Sequence, residues 1–365
     1  MAEMLSRYDV EPDVRKIAVL RVNRLGDFIV AVPALEALRA AYPAAEIVLL
    51  AKDWHAAFLA GRPGPVDRVV VVPPARGVGE DNDFAEDPGR LERFFDAMAR
   101  ERFDLAIQIH GGGRYSNPFL LRLGARLTVG LKTPDAAPLD RWVPYLYFQS
   151  EVLRYLEVVA LVGATTRVLE PRIAVTAQDL AEAERVVPSA GDPTSVGSPL
   201  VALHPGGADP RRWWPADKFA AVGDALAAAG ARVVVTGTRE EHHVVEAVRR
   251  VMTFEAQDVC AQLSLGGLAG LLSRCRVVVS NDSGPLHLAA SVGAATVGIF
   301  WCFNLINWGP LTRSRHRPSV SWHLACPVCG LDHTQGRCDH RASFVGDVPT
   351  EEVVASALDL FAAVS

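Results

Sequence analysis

A chain of 365 residues exceeds the size at which one hydrophobic core keeps growing, so two domains are expected. Hydrophobic residues make up 50% and charged residues 22%, the balance of a globular protein and not of a disordered one. The net charge of −5 offers no basic excess to neutralise phosphates along a duplex, which argues against a general nucleic-acid binder.

Strand-like runs alternate with helix-like patterns along the whole chain, predicting an α/β protein built on parallel sheets. In the first half the strands fall at 16–22, 46–51, 68–73, 104–110 and 126–131. Leu35, Leu38 and Tyr42, spaced i, i+3, i+7, mark a buried helix face between the first two. The first strand runs into "NRLGD" (23–27) before apolar residues resume at Phe28. A helix beginning at Phe28 would take Asp27 as its cap, or would leave that carboxylate free for chemistry. Further on, the Pro-, Gly- and Ser-rich stretch 188–199 reads as a linker between domains 1–187 and 200–365.

The second half restarts with strands at 200–204, 231–237, 276–282 and 295–300. Phe219, Val222 and Leu226 face inward on a helix opened by Pro215, and Val244, Val248 and Val251 do so on the next. Two more helices follow, around "SLGGLAGLLSRC" and "SGPLHLAASVG", and Val353, Ala357 and Phe361 belong to a closing helix with Thr350 as its cap. Two consecutive α/β halves suggest two Rossmann-like domains facing each other, with ligands beyond the carboxyl ends of their strands.

Three of those strand ends carry polar constellations. "NDSGPLH" places Asp282, Ser283, Gly284 and His287 where a helix starts, with free N–H groups and the positive end of a dipole. It reads as a phosphate-and-sugar site, or as a capped helix with His287 in the core. "HPGGADPRRWWP" offers Gly206 and Gly207 for close backbone approach, then Arg211 and Arg212 as a diphosphate clamp or a solvated pair. "TGTREEHH" presents Thr238, Glu240 and Glu241 where an acid commonly holds ribose hydroxyls, or merely complements a helix dipole. A GxxxxGK[ST] phosphate loop and a GxGxxG fingerprint are both missing from the sequence. "HGGG" (110–113) lacks the GxSxG partner of an esterase, and "DND" (81–83) reads either as a metal-binding acidic pair or, as well, as a solvated loop.

In combination, "RLGDFIVAVPALEALRAAYPAAEIVLL", "HPGGADPRRWWP", "NDSGPLHLAASVGAATVGIF" and "NWGP" (307–310) resemble glycosyltransferase family nine, the lipopolysaccharide heptosyltransferases. The resemblance implies a GT-B fold, an N-terminal acceptor domain and a C-terminal nucleotide-sugar domain around a central cleft. It implies inverting transfer without a metal cofactor, from an ADP-linked heptose to a lipid-linked core sugar. By position, Asp27 matches the catalytic base, Arg212 the diphosphate-facing cation, and Glu241 the ribose acid with Glu240 adjacent. Asp282, Ser283 and His287 match the donor turn. Arg24 and Arg114 would then contact anionic groups on the acceptor, or serve only as surface residues. Two departures stand out: Arg212 where relatives often carry Lys, and "FWCFN" (300–304) without their glycine. Trp301 and Trp308 read either as stacking partners for the base or as core aromatics.

"CPVCGLDHTQGRCDH" (326–340) brings Cys326, Cys329 and Cys338 close to His333 and His340. Cys326, Cys329, Cys338 and His340 would satisfy a structural zinc, and reduced loop thiols are the plainer account. The N-terminal residues lack the layout of a signal peptide, and no apolar run approaches the ~20 residues of a membrane helix. The expected location is the cytoplasm, with contact at the inner membrane surface left open. Besides the transferase, two readings stay open: a nucleotide-sugar epimerase or hydrolase, and a non-catalytic nucleotide or glycan binder.

Overall fold

A computed structural model gives the architecture, describing residues 9–79, 85–189, 197–336 and 338–363. The acidic run 81–83 and most of the expected linker lie outside the described residues. The chain divides into two compact units, Met1–Pro171 and Arg172–Ser365.

The first unit opens with β1 (Lys16–Leu20), α1 (Leu25–Ile29), α2 (Val32–Ala41), β2 (Glu46–Ala51), α3 (Asp53–Leu59) and β3 (Arg68–Val71). It continues with α4 (Pro88–Glu101), β4 (Leu105–Gln108), α5 (Ser116–Leu121), β5 (Leu127–Lys132), β6 (Arg141–Pro144) and α6 (Glu151–Ala160). All pairings are parallel, in the order β3-β2-β1-β4-β5-β6. β1, β2 and β4 are buried on both faces, which is why they read as unbroken apolar runs. Asp87 caps α4 by accepting from the Arg90 N–H at 3.0 Å, with Pro88 preset for the first turn. Tyr42, at the end of α2, donates its hydroxyl to the Val162 carbonyl at 2.6 Å.

The second unit holds α7 (Ala177–Val186), β7 (Leu200–His204), α8 (Ala216–Ala228), β8 (Arg232–Val235), α9 (His242–Val251) and β9 (Gln257–Asp258). Then come α10 (Leu265–Ser273), β10 (Val277–Asn281), α11 (Gly284–Ser291), β11 (Ala295–Trp301), α12 (Cys302–Trp308), β12 (His316–Ser321) and α13 (Thr350–Ala363). Its parallel sheet runs β12-β11-β10-β7-β8-β9. In each unit the order reverses beside the first strand, between β1 and β4 and between β7 and β10. Such switch points leave a crevice at the strand ends, where doubly wound folds bind ligands.

Three details depart from the sequence reading. The division falls after Pro171 and not at 188–199, because α7 packs on α10 and so belongs with the second unit. α1 begins at Leu25 and not at Phe28, which makes Asp27 a first-turn residue. Val251 is 56% exposed; Val244, Val245 and Val248 form the inward stripe of α9, and its last turn points away from the core.

Candidate functional site

In the first unit Asp27 stands in the first turn of α1, and His110 follows the end of β4. Asp27 Oδ2 accepts from the Arg24 N–H at 3.4 Å, a first-turn acid satisfying an orphan donor. The other oxygen, Oδ1, faces Arg21 Nη2 at 3.2 Å, and the carboxylate keeps 21% of its surface open. Arg21 is buried and occupied on every side. Its Nε donates to the Asp27 carbonyl at 3.1 Å and Nη1 to the Ile109 carbonyl at 2.7 Å, with the Tyr155 ring 4.7 Å away and Glu151 Oε2 at 3.8 Å. Burial pushes the Glu151 carboxyl up, against the pull of Arg21 and Arg154. Arg24 is exposed, and Arg114, two-thirds exposed, pairs with Asp135 at 3.6 Å.

His110 accepts from the Val22 N–H at Nδ1 (3.3 Å) and reaches the Gly77 carbonyl from Nε2 (3.1 Å), a neutral ring with its proton on Nε2. Burial first, then Arg21, hold its pKa down to about 4. His55, under Trp54 and Phe28, is pushed to about 3 by the same two causes. Both folded values lie below the unfolded value, so the unfolded chain binds more protons in between. The stability these rings contribute is present above pH 6.5 and is lost as pH falls, toward 4 for His110 and toward 3 for His55. At pH 5 the loss is about 2 kcal/mol per histidine. The urea midpoint should therefore fall between pH 7.5 and pH 5, and fall less in His110→Asn. Equal midpoints at the two pH values would refute this.

In the second unit the three predicted loops converge. Asp282, 5% exposed, follows β10; its Oδ2 accepts from Arg212 Nη1 at 2.9 Å and Asn304 Nδ2 at 2.6 Å, and Oδ1 lies 3.4 Å from His287 Nε2. Burial alone would raise the Asp282 pKa, but His287, Arg212 and Asn304 together hold it below the ordinary value. Ser283 and Gly284 open α11, and the Ser283 hydroxyl meets that of Ser280 at 3.1 Å. Glu241 is the buried acid and Glu240 the exposed one. Glu241 accepts from the Gly207 N–H at 2.6 Å and the Thr238 N–H at 2.8 Å, tying the loops after β7 and β8 together. A Cβ at Gly206 would sit 2.3 Å from Glu241 Cδ and would push that carboxylate off its two amides. Asn281 fixes the same loop, donating to the Pro205 and Gly206 carbonyls and accepting from the Trp214 N–H.

The two arginines separate. Arg212 turns to Asp282, whereas Arg211 forks onto Asp209 and lies 5.3 Å from the Phe344 ring. Trp301 packs on Phe303, His333 and Phe344 and donates to the His323 carbonyl, as a structural aromatic. Trp308 is half-buried. Arg21, Asn304 and His110 went unassigned from sequence. A charge inside the apolar run "VLRV" was the one available signal for Arg21; nothing in "FWCFN" distinguishes Asn304 from any loop amide. Together these loops of the second unit bring one cation, the N–H groups of a helix start and an imidazole beside a carboxylate into one place, groups whose chemistry suits an anion.

The profile of glycosyltransferase family 9 (heptosyltransferase) matches residues 91–328, more than half of the chain. The chain is 24% identical over 292 residues to lipooligosaccharide heptosyltransferase 2 of Haemophilus ducreyi, covering 76% of this chain and 80% of that protein. Its fold is similar to a family 9 glycosyl transferase from Veillonella parvula, with TM-score 0.76 and 21% identity over 97% of this chain and 99% of the other. It is also similar to E. coli ADP-heptose lps heptosyltransferase II, with TM-score 0.70 and 18% identity over 95% and 99% of the two chains. The two-sheet α/β architecture is thus of the GT-B type.

Proposed function

The chain belongs to glycosyltransferase family 9, the heptosyltransferase family, and from that premise we propose that it transfers a heptose from an ADP-linked donor to a hydroxyl of a lipopolysaccharide-core acceptor, with inversion and without a metal cofactor. It is a glycosyltransferase. The observation that carries the donor side is the Arg212–Asp282–His287 set at the start of α11. A nucleoside diphosphate gains charge as it leaves, and a guanidinium with helix N–H groups stabilises it where other enzymes use Mg²⁺. Asp282 holds the Arg212 fork in place beforehand, so little ordering remains when the donor binds. Gly206, Gly207, Thr238 and Glu241 shape the adjoining loop for the ribose, with the Glu241 carboxylate already oriented by two backbone amides.

On the acceptor side the base is Asp27. It takes the proton of the acceptor hydroxyl as that oxygen attacks the anomeric carbon from the face opposite the diphosphate. Arg21 orients the carboxylate from behind, and the exposed Arg24, with Arg114 once it leaves its solvent-exposed pair with Asp135, would meet anionic groups on the acceptor. Among the described residues no helix is long and apolar enough to cross a membrane, and the reading places the work in the cytoplasm, at the membrane surface where such acceptors lie. The names of the H. ducreyi and E. coli relatives support heptose and ADP over other donors.

Thermal stabilisation by ADP, UDP, GDP and NAD tests the donor. ADP should raise the melting temperature more than the others, unchanged by added Mg²⁺, and at [L] of 100 Kd its binding adds about 2.7 kcal/mol. A shift with NAD alone, or one requiring Mg²⁺, would sink the reading. An epimerase or hydrolase would instead consume the nucleotide sugar with no acceptor present.

A further inference from the structure

After β12 the chain forms a turn that the transfer chemistry does not use. Ala325 and Asp332 bridge antiparallel, the Cys326 N–H donates to the Leu331 carbonyl at 2.8 Å, and the Gly330 N–H to the Cys326 carbonyl at 2.9 Å. Gly330 sits at φ +71, a conformation that closes the turn and that side chains rarely adopt. The ligand atoms of Cys326, Cys329, Cys338 and His340 all lie within 4.8 Å of one another. Every cysteine is a free thiol. Thiols are weak hydrogen-bonding groups, so three of them gain little by meeting one imidazole. A tetrahedral zinc with Zn–S of about 2.3 Å would space its sulfurs about 3.8 Å apart, a small contraction of this cluster.

We propose that Cys326, Cys329, Cys338 and His340 hold one structural zinc ion, and that this knuckle braces the turn bearing Arg212. Three thiolates and an imidazole suit zinc and not the oxygen-seeking Mg²⁺ or Ca²⁺. With four protein ligands no position is left for water or substrate, so the ion stabilises structure and takes no part in transfer. The bracing runs through named contacts. The Phe344 N–H donates to the Arg211 carbonyl at 2.6 Å, and the Ser343 hydroxyl to the Trp213 carbonyl at 2.7 Å, one on each side of Arg212. The Phe344 ring packs on Trp301 at 4.8 Å and on His333 at 4.6 Å, which joins the turn to the end of β11. A segment with so little regular structure gains its order from the metal, since zinc binding is folding energy for such a turn.

The test does not depend on the donor assignment, because it reads metal and not turnover. The full chain, purified without a polyhistidine tag, should carry about one zinc by elemental mass spectrometry. Exchange with Co²⁺ should give the visible bands of a tetrahedral thiolate site. Cys329→Ser, at the exposed ligand, and His340→Ala should each lose the zinc while keeping the far-ultraviolet dichroism of the wild type. Chelation should speed tryptic cleavage after Arg341 about tenfold over the zinc form. Wild-type protein free of zinc, or carrying iron in its place, would overturn the proposal. Zinc undiminished in Cys329→Ser combined with Cys338→Ser would overturn the ligand set, and equal cleavage rates would overturn the bracing.

Discussion

Asp27→Asn should lower kcat by ~10²–10⁴-fold, the usual contribution of a positioned general base. The substitution keeps the shape of the side chain, an oxygen for the Arg24 N–H, and the first turn of α1. Arg21 loses one anionic neighbour but retains the Ile109 and Asp27 carbonyls, the Tyr155 ring and Glu151. Folding should therefore survive, and the melting temperature should stay within a few degrees. ADP binding should be untouched, because every group proposed to hold the donor belongs to the second unit. Single-turnover transfer under saturating donor isolates the effect. Activity within about threefold of wild type would remove Asp27 from the chemistry and favour a non-catalytic or acceptor-independent role.

Arg212→Ala should lower kcat/KM by ~10²–10³-fold and abolish the stabilisation by ADP, the cost of losing one preorganised charge donor. The variant also strips a partner from Asp282, which is buried and left with His287 and Asn304. Some stability should therefore be lost as well; removing one side of a buried pair is costly because the other charge stays behind. Arg212→Lys separates the two effects. It restores the charge beside Asp282 and so the melting temperature, but an ammonium cannot reproduce the fork on a diphosphate. Activity should recover only in part. Full activity in Arg212→Ala would move the diphosphate elsewhere, with Arg211 the next candidate despite its bond to Asp209.

The central strands were readable because burial on both faces selects long apolar runs, with polar residues such as Gln108, His204 and Asn281 at their carboxyl ends. β2 and β7 match their apolar runs from end to end. Of the edge strands, β3 was read from its apolar run, but β6, "RWVP", alternates between half-buried and exposed residues, and β12, "HRPSVS", has four polar residues in six. Short helices such as α5 and α12 were lost for a similar reason, since six or seven residues give too little period to detect. The switch points depend on strand order, and no local pattern encodes that order.

By itself the sequence determined two successive α/β halves, the strand ends that carry polar groups, and which residue types stand there. Asp27, Arg212, Asp282 and His287 could all be named from turn chemistry and resemblance, because glycines, caps and charges beside apolar runs are local signals. Only the tertiary structure decided how those groups are used. It turned Arg212 onto a carboxylate 70 positions away while Arg211 bent back to Asp209. It buried Glu241 on two backbone amides, left Glu240 in solvent, and set Arg21 behind Asp27. Side-chain hydrogen bonds of this kind are chosen by which loops the sheet order makes neighbours and by which polar atoms burial forces to find a partner.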